Sequence, residues 1–437
     1  MNFGILVLVL AIILFALLAF KQISALILAP VVSIFVIVFS GMPILASLKD
    51  YFMPAAAGYV SSYFLIFFVG ALFGSIYQFT GAAEAIARFI AKVCKGKFVA
   101  PIIMTITGIL TYGGISGFVV FFVIYPIALQ LFKEGNITRR LMPAAISSGC
   151  WTWSMSGPGS PSIQNVIAID NLGTTANAAL LPSILATVAM YALIFAWLEY
   201  RTRKFTKKGI VFDDKTLTYQ LTAEELKEDE VDADLPNPYL AFLPIIAILV
   251  SFNVLHVPVE TAVTIGIALS IVLFFNKIES LAKWIELFNK GAADSGVAIL
   301  NTAIVVGFGG IVQQTKGFSD LVNSLQNFNL SPLVFVMITV SICAGACGSA
   351  SGGLGVAFNA LKQTYVEMGI NLEYVHRIAT ISAGTLDTLP HQGTQITLLN
   401  ICKLTHKEAY YDIAITQILI PFIVCFIFIG LVNIGIV

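Results

Sequence analysis

The chain carries part of its own sequence twice. Phe73-Gly74-Ser75-Ile76-Tyr77-Gln78-Phe79-Thr80 returns 235 residues later as Phe308-Gly309-Gly310-Ile311-Val312-Gln313-Gln314-Thr315. The same spacing carries Ser116-Gly117 onto Ser351-Gly352 and Asn165 onto Asn400, and a spacing of 234 carries Gly159-Ser160 onto Gly393-Thr394. A repeat of that length asks the fold to be built from two similar halves. Of all residues, 58% are hydrophobic and 11% charged, against about 25% charged in soluble domains. Such halves belong in a bilayer, and two repeated apolar halves of opposite orientation are the usual build of a secondary transporter.

A spanning helix needs about 20 mainly apolar residues. Stretches 3–20, 23–45, 61–79, 180–199, 238–255, 260–276, 294–312 and 409–435 meet that need. Two longer stretches, 98–132 and 331–366, are interrupted by glycine, and two more, 141–169 and 376–402, by polar runs with glycine and proline. Positive charge sets the orientation. Arg201, Arg203, Lys204, Lys207 and Lys208 put 201–237 in the cytoplasm, and basic clusters flank 98–132 on both sides (Arg88 to Lys97, Lys133 to Arg140). If both clusters are cytoplasmic, 98–132 enters and leaves on one side as a re-entrant hairpin with its tip at 113–117.

Each half, 1–200 and 238–437, then holds about five transmembrane helices, one re-entrant hairpin and one broken helix. An odd number of crossings inverts the second half, with its hairpin tip at 348–353. The expected fold is an all-α polytopic membrane protein of two inverted repeats, joined by a charged, solvated linker at 201–237. Lys21 follows the first apolar run rather than preceding it, so 3–20 reads as a retained helix and both termini as extracytoplasmic. Under this scheme Lys403 and Lys407 lie inside, while Lys316, Lys362 and Arg377 lie outside against the charge rule. Residues 81–95 and 278–290 read as amphipathic arms along the membrane surface.

Backbone that leaves a helix at membrane depth is tolerated only where it is buried in protein or lines a wet cavity. The sequence proposes four such breaks: the two tips, and the runs 154–161 and 389–395. Helix N-termini freed there suit a carboxylate. For either tip alone, close packing is an equal reading. The two runs gather more polar groups (Ser160, Ser162, Gln164, Asn165; Thr394, Gln395, Thr397, Asn400) than a kink requires. Asp387 and His391, four residues apart, are ionisable groups at membrane depth and candidates for the coupling ion; the alternative is that they bond each other and hold the break in shape. Asp170 and Asp294 read as interfacial and structural.

A net charge of zero makes nucleic acid an improbable partner. The six cysteines lack zinc or redox spacing and read as packing residues. No phosphate loop of the GxxxxGK kind is present, so no ATP hydrolysis and no cofactor are expected. No arginine or lysine falls in the four breaks, which favours an anion of single charge. A membrane-embedded enzyme is the rival class, opposed by the missing metal cluster and the missing nucleophile beside Asp387 and His391. A permease subunit of an ATP-driven importer is a third reading.

The run Gly114-Ile115-Ser116-Gly117-Phe118-Val119-Val120-Phe121-Phe122-Val123-Ile124-Tyr125-Pro126 is followed by Leu141-Met142-Pro143-Ala144-Ala145-Ile146 and Pro158-Gly159-Ser160-Pro161-Ser162-Ile163-Gln164-Asn165. Together they resemble the gluconate permease (GntP-type) family of the ion transporter superfamily, which also holds citrate and dicarboxylate carriers. The resemblance covers nearly the whole chain outside 201–237. It implies two hairpins, two unwound helices and an elevator-type homodimer in a bacterial inner (plasma) membrane. It also implies symport of a small hydroxy-monocarboxylate such as gluconate, hydroxybutyrate, glycerate or lactate, with H⁺ ahead of Na⁺. A Na⁺-coupled di- or tricarboxylate carrier is the alternative. Carried over by position, Ser116, Gly117, Gly159, Ser160, Gln164 and Asn165 would line the substrate site from the first half. Ser349, Ser351, Gly352, Gly393, Thr394 and Gln395 would do so from the second, and a sodium ion would fall near Ser116, Asn165, Ser351 and Thr394. The first break departs from the family, reading SMSGPGSP where close gluconate carriers place a histidine.

Overall fold

A computed structural model describes residues 2–19, 23–93, 97–115, 117–222, 235–327, 330–390 and 392–436. Among the described residues all regular structure is helical. Apart from single turns, the first half runs α1 Phe3–Ala19, α2 Ala25–Phe39, α3 Ile44–Phe79, α4 Ala82–Val93, α5 Val99–Tyr112, α6 Gly117–Glu134, α7 Met142–Trp151, α8 Ile163–Leu172 and α9 Leu180–Lys207. The second runs α10 Pro238–Asn253, α11 Val259–Phe274, α12 Leu281–Gln313, α13 Lys316–Asn327, α14 Pro332–Cys347, α15 Ala350–Glu367, α16 Leu372–Leu386, α17 Gly393–Ile401 and α18 His406–Asn433. The order repeats, and several pairs agree in length to the residue: 12 for α4 and α13, 18 for α6 and α15, 28 for α9 and α18.

Among the described residues five helices are long and apolar enough to cross a bilayer unaided: α3, α9, Val259–Lys277 (α11 with its last turn), α12 and α18. The span expected at 3–20 is described over Phe3–Ala19, while those expected at 23–45 and 238–255 are shorter, at 15 and 16 residues. At about 1.5 Å per residue the latter two fall short of a hydrocarbon core of about 30 Å. For α2 the cause is local, because Gly41 at φ +70° turns the chain and Pro43 caps the next helix. Large apolar side chains stand exposed on the outer helices, Val188 and Val272 among them, as lipid contact requires.

Two expectations need correction. The span placed at 61–79 begins at Ile44, and a π-turn at Leu48–Phe52 carries the helix through the polar pair Lys49-Asp50 instead of ending it. Nor is 278–290 a separate arm. Ser280 accepts the N–H of Lys283 at 3.3 Å and opens α12, which then runs unbroken for 33 residues. The partner of the amphipathic arm α4 is α13, which keeps its polar residues at helical spacing. Among the described residues, helices α3 and α12 make the most extensive helix–helix contact, with the Ser75 hydroxyl donating to Leu287 O at 3.1 Å.

The start of the linker is docked rather than solvated. Phe212 and Leu217 are buried, and Arg140 grips the loop through Asp214 Oδ2 at 2.8 Å and Thr216 Oγ1 at 2.7 Å. Thr218 N–H donates to Glu408 Oε1 of the second half at 2.6 Å, so the loop bridges both halves. Residues 223–234 lie outside the described residues. Burial alone pushes the Asp214 carboxyl up, but hydrogen bonds from Thr216 and Arg140 outweigh it and hold it below its ordinary range. The lower folded pKa means that these bonds stabilise the docked loop above about pH 4 and are lost as pH falls through the folded value. Pepsin cleavage within 208–222 should therefore rise as pH drops below about 4, and Asp214→Asn should remove that dependence. Cleavage equally pH-dependent in Asp214→Asn would mean that other groups hold the loop.

Candidate functional site

Four interrupted elements build the site. The hairpin α5–α6 turns at Gly113 and Gly114, the second with φ +98°. The hairpin α14–α15 turns at Gly348, whose φ of +56° is costly for any residue with a Cβ. Ser349 then caps α15, its hydroxyl accepting the Gly352 N–H at 3.2 Å. The glycine runs read as tips are thus helix–turn–helix corners in both halves.

In the first broken helix, α7 stops at Thr152 (φ −119°, ψ −103°), one turn follows at Trp153–Ser156, and the chain leaves the helix at Gly157, turns at Pro158-Gly159 (Gly159 φ +79°) and passes Pro161 before α8. The prolines remove helix donors, so side chains must hold the loop. Ser162 Oγ donates to Met155 O at 2.6 Å, and Asn165 Nδ2 donates to Gly157 O at 3.1 Å and Ser160 O at 3.0 Å. In the second, α16 loosens at Gly384, the chain turns through 387–390, and helix restarts as α17. Tyr410 OH donates to Thr388 O at 3.0 Å, and His406 Nε2 lies 3.0 Å from Pro390 O.

The charge scheme places Arg377 on the extracytoplasmic side as an exception to the rule, and the breaks read as free of basic groups. It is instead fully buried and enters the first break from the second half. Its guanidinium donates to Ser183 Oγ at 2.9 Å, Asn165 Oδ1 at 3.1 Å, Ala176 O at 3.2 Å, Ala178 O at 3.4 Å, and to Ser156 O. Its neighbour His376 sits between Thr174 Oγ1 (2.7 Å) and Asn165 Oδ1 (3.1 Å). Arg377 makes no ion pair among the described residues; carbonyls and an amide satisfy its charge. A related contact runs the other way, where Arg139 of the first half donates to Cys402 O beyond α17 at 3.5 Å and to Tyr219 O at 2.8 Å.

The breaks surround a cavity of about 640 Å³. Its wall holds the first residues of four helices: Gly117 of α6, Ile163 and Gln164 of α8, Ala350 and Ser351 of α15, and Gly393 and Thr394 of α17. Each such terminus bears a partial positive charge of about half a unit. Asp387 is 2% exposed and lies in the same wall. The facing wall comes from α12, through Asp294, Asn301 and Thr302. Among the described residues no arginine or lysine lines the cavity.

Of the residues named from the sequence at the breaks, Gly117, Ser162, Gln164, Ser349, Ser351, Asp387, Gly393, Thr394, Thr397 and Asn400 reach the cavity. Gly159, Ser160, Asn165, Gly352 and Gln395 do not. Asn165 is spent on the loop and on Arg377, and Gln395 Nε2 donates to Gln417 Oε1 at 2.7 Å. Ser116 and His391 lie outside the described residues. Asp294, set aside as interfacial, lines the cavity, and Trp151 and Gln392 join it. The signal for α12 was present: positions 294, 301 and 302 share one helical face.

No family model matches the chain. It is 32% identical over 442 residues to the "Uncharacterized transporter YxjC" of Bacillus subtilis (strain 168), an alignment covering 92% of this chain and 93% of that protein. It is 20% identical over 354 residues to an "Uncharacterized permease" of Haemophilus influenzae, covering 75% and 71% of the two chains. Among solved structures, the Alcanivorax borkumensis YdaH transporter, whose crystal structure is described as having an unusual topology, superposes with a TM-score of 0.57. That match covers 90% of this chain and 89% of that one at 12% identity, a likeness of fold.

Proposed function

Because the chain belongs to the transporter family of the Bacillus subtilis protein YxjC, we propose that it is a secondary active symporter for a small hydroxy-monocarboxylate, driven by a cation. The carrying observation is that four helix N-termini and one buried carboxylate, Asp387, share the wall of a single cavity. The termini attract an anion, and the hydroxyls and amides of Ser351, Thr394 and Gln164 suit its hydroxyl groups. A cavity of about 640 Å³ lies within the range of about 300–1,000 Å³ usual for small-molecule sites. With two carboxylates and no basic side chain in the described wall, a singly charged anion is favoured over citrate-like substrates.

Alternating access fits the same elements. The long pair α3 and α12 would serve as the static frame, with the hairpins and broken helices moving past it in an elevator. The recurring element order supports two similar halves, which this reading sets in opposite orientation, and such carriers commonly work as homodimers in the inner membrane.

A thermal-shift screen of the purified protein against small carboxylates, in Na⁺ or K⁺ across several pH values, tests the reading. A hydroxy-monocarboxylate at a hundredfold excess over its Kd should stabilise the protein by about 2.7 kcal/mol. Stabilisation by citrate with Na⁺ alone would move the assignment to a tricarboxylate carrier. Silence towards every carboxylate, with stabilisation by some other solute, would overturn it.

A further inference from the structure

Asp387 places a buried carboxyl group where the substrate anion should go. Its carboxylate accepts from Thr388 Oγ1 at 3.1 Å and Gln392 Nε2 at 3.4 Å, and the backbone amide of Ala350 faces it. Ala350 is the first residue of α15, an 18-residue helix whose start lines the cavity. At that start Ser349 takes the Gly352 and Gly353 N–H groups. The amides left for an incoming carboxylate are those of Ala350 and Ser351, beside Asp387. Two carboxylates at one helix terminus repel each other, and burial strengthens the repulsion.

We propose that proton uptake by Asp387 is the step that frees the start of α15 for the substrate carboxylate, so that anion and proton bind only together. This rests on the carboxylate-symport reading above. The geometry supplies a place for the added hydrogen. Gln392 is 6% exposed, lines the cavity, and its Oε1 is buried with no hydrogen-bond partner among the described residues. Rotation of that amide turns Oε1 towards Asp387 Oδ2, where it accepts the new O–H. Protonation thus exchanges a donor for an acceptor at one side chain; the proton comes from the solvent of the cavity that Gln392 lines and returns to it once the anion has departed. The groups now facing the carboxylate are all donors, which suits H⁺ over a metal cation.

The other titratable groups around the site, among the described residues, are Tyr410, bonded to Thr388 O, His406, against Pro390 O, Tyr59 beside Ser351, and Cys150, Cys347 and Asp294 in the cavity wall. None of these supplies a standing positive charge that would neutralise Asp387 in place of the proton. His391 lies outside the described residues.

Binding of gluconate and of 3-hydroxybutyrate to the purified full-length protein, measured between pH 5.5 and 8, tests the proposal. In the wild type, affinity should fall about tenfold per pH unit on the alkaline side. Asp387→Asn should bind with an affinity that does not change with pH, and in liposomes it should exchange the anion but no longer accumulate it against a pH gradient. Wild-type affinity independent of pH, or an unchanged pH slope in Asp387→Asn, overturns the proposal while leaving carboxylate transport standing. Failure of the wild type to bind any carboxylate overturns the underlying reading and this one with it. If Asp387→Asn does not fold, proton uptake by the wild type in weak buffer decides: about one proton per anion bound supports the proposal, and none overturns it.

Discussion

Replacement of Arg377 by alanine should abolish transport and prevent isolation of a stable, monodisperse protein. The guanidinium joins five acceptors on residues 156, 165, 176, 178 and 183, all in the opposite half. A buried polar group that loses its partner costs about 1–3 kcal/mol. Two or three such losses take a large part of a margin of about 5–15 kcal/mol. Arg377→Lys keeps the charge but offers three donors from one nitrogen where the fork offers five. It should fold with a lowered melting temperature and bind substrate weakly, because the loop at 157–162 is then held on fewer sides. Size-exclusion profiles, melting curves and uptake on the two variants settle the matter. Wild-type melting and uptake in Arg377→Ala would show that the loop keeps its shape without the arginine.

Gly149→Leu should be more damaging still, though the residue touches neither cavity nor charge. A Cβ at Gly149 would lie 1.8 Å from Thr107 Oγ1, 2.3 Å from Met104 O and 2.9 Å from Gly108 N. Two of those atoms are backbone of α5 and cannot turn aside. Even Gly149→Ala must separate α5 from α7, at a cost in the upper part of the range of about 1–3 kcal/mol for overpacking or above it. Expression and melting of the alanine variant give the measure, and a shift within error of zero would mean that the hairpin rides more loosely on α7 than its packing implies.

Turns and breaks were legible because their causes are local. Gly113-Gly114, Gly348, Pro158 and Pro161 dictate backbone shape wherever they sit, and both corners and the first unwound segment formed where these residues stand. The helical stretch 44–60 was less legible, since Lys49 and Asp50 look like a loop until a π-turn places them on an exposed face. Arg377 was illegible for a different reason. The charge rule treats a cation near a span end as hydrated, and only the assembled partner half shows the carbonyls that replace its water. Asp294 was misjudged on the same ground, because a long helix presents its cavity face only when hairpins oppose it. Among the substrate-site residues, those at helix starts reached the cavity, whereas Asn165 and Gln395 became struts behind it. Sequence spacing finds the helix start, but it does not say which way an amide side chain turns.

The interlock of the two halves also sets an order in time. Arg377 follows Ser156 by 221 residues, which at about 5–20 residues per second is roughly 10–45 s of synthesis. Through that interval the first unwound loop has its prolines and its open carbonyls but not the cation that completes it. Arg139, made early, waits likewise for the carbonyl of Cys402. The first half therefore enters the bilayer unfinished, and its last folding step belongs to the arrival of the second. A ribosome that stalls between the halves leaves exposed polar backbone at membrane depth, a feature by which a quality-control protease could recognise the fragment.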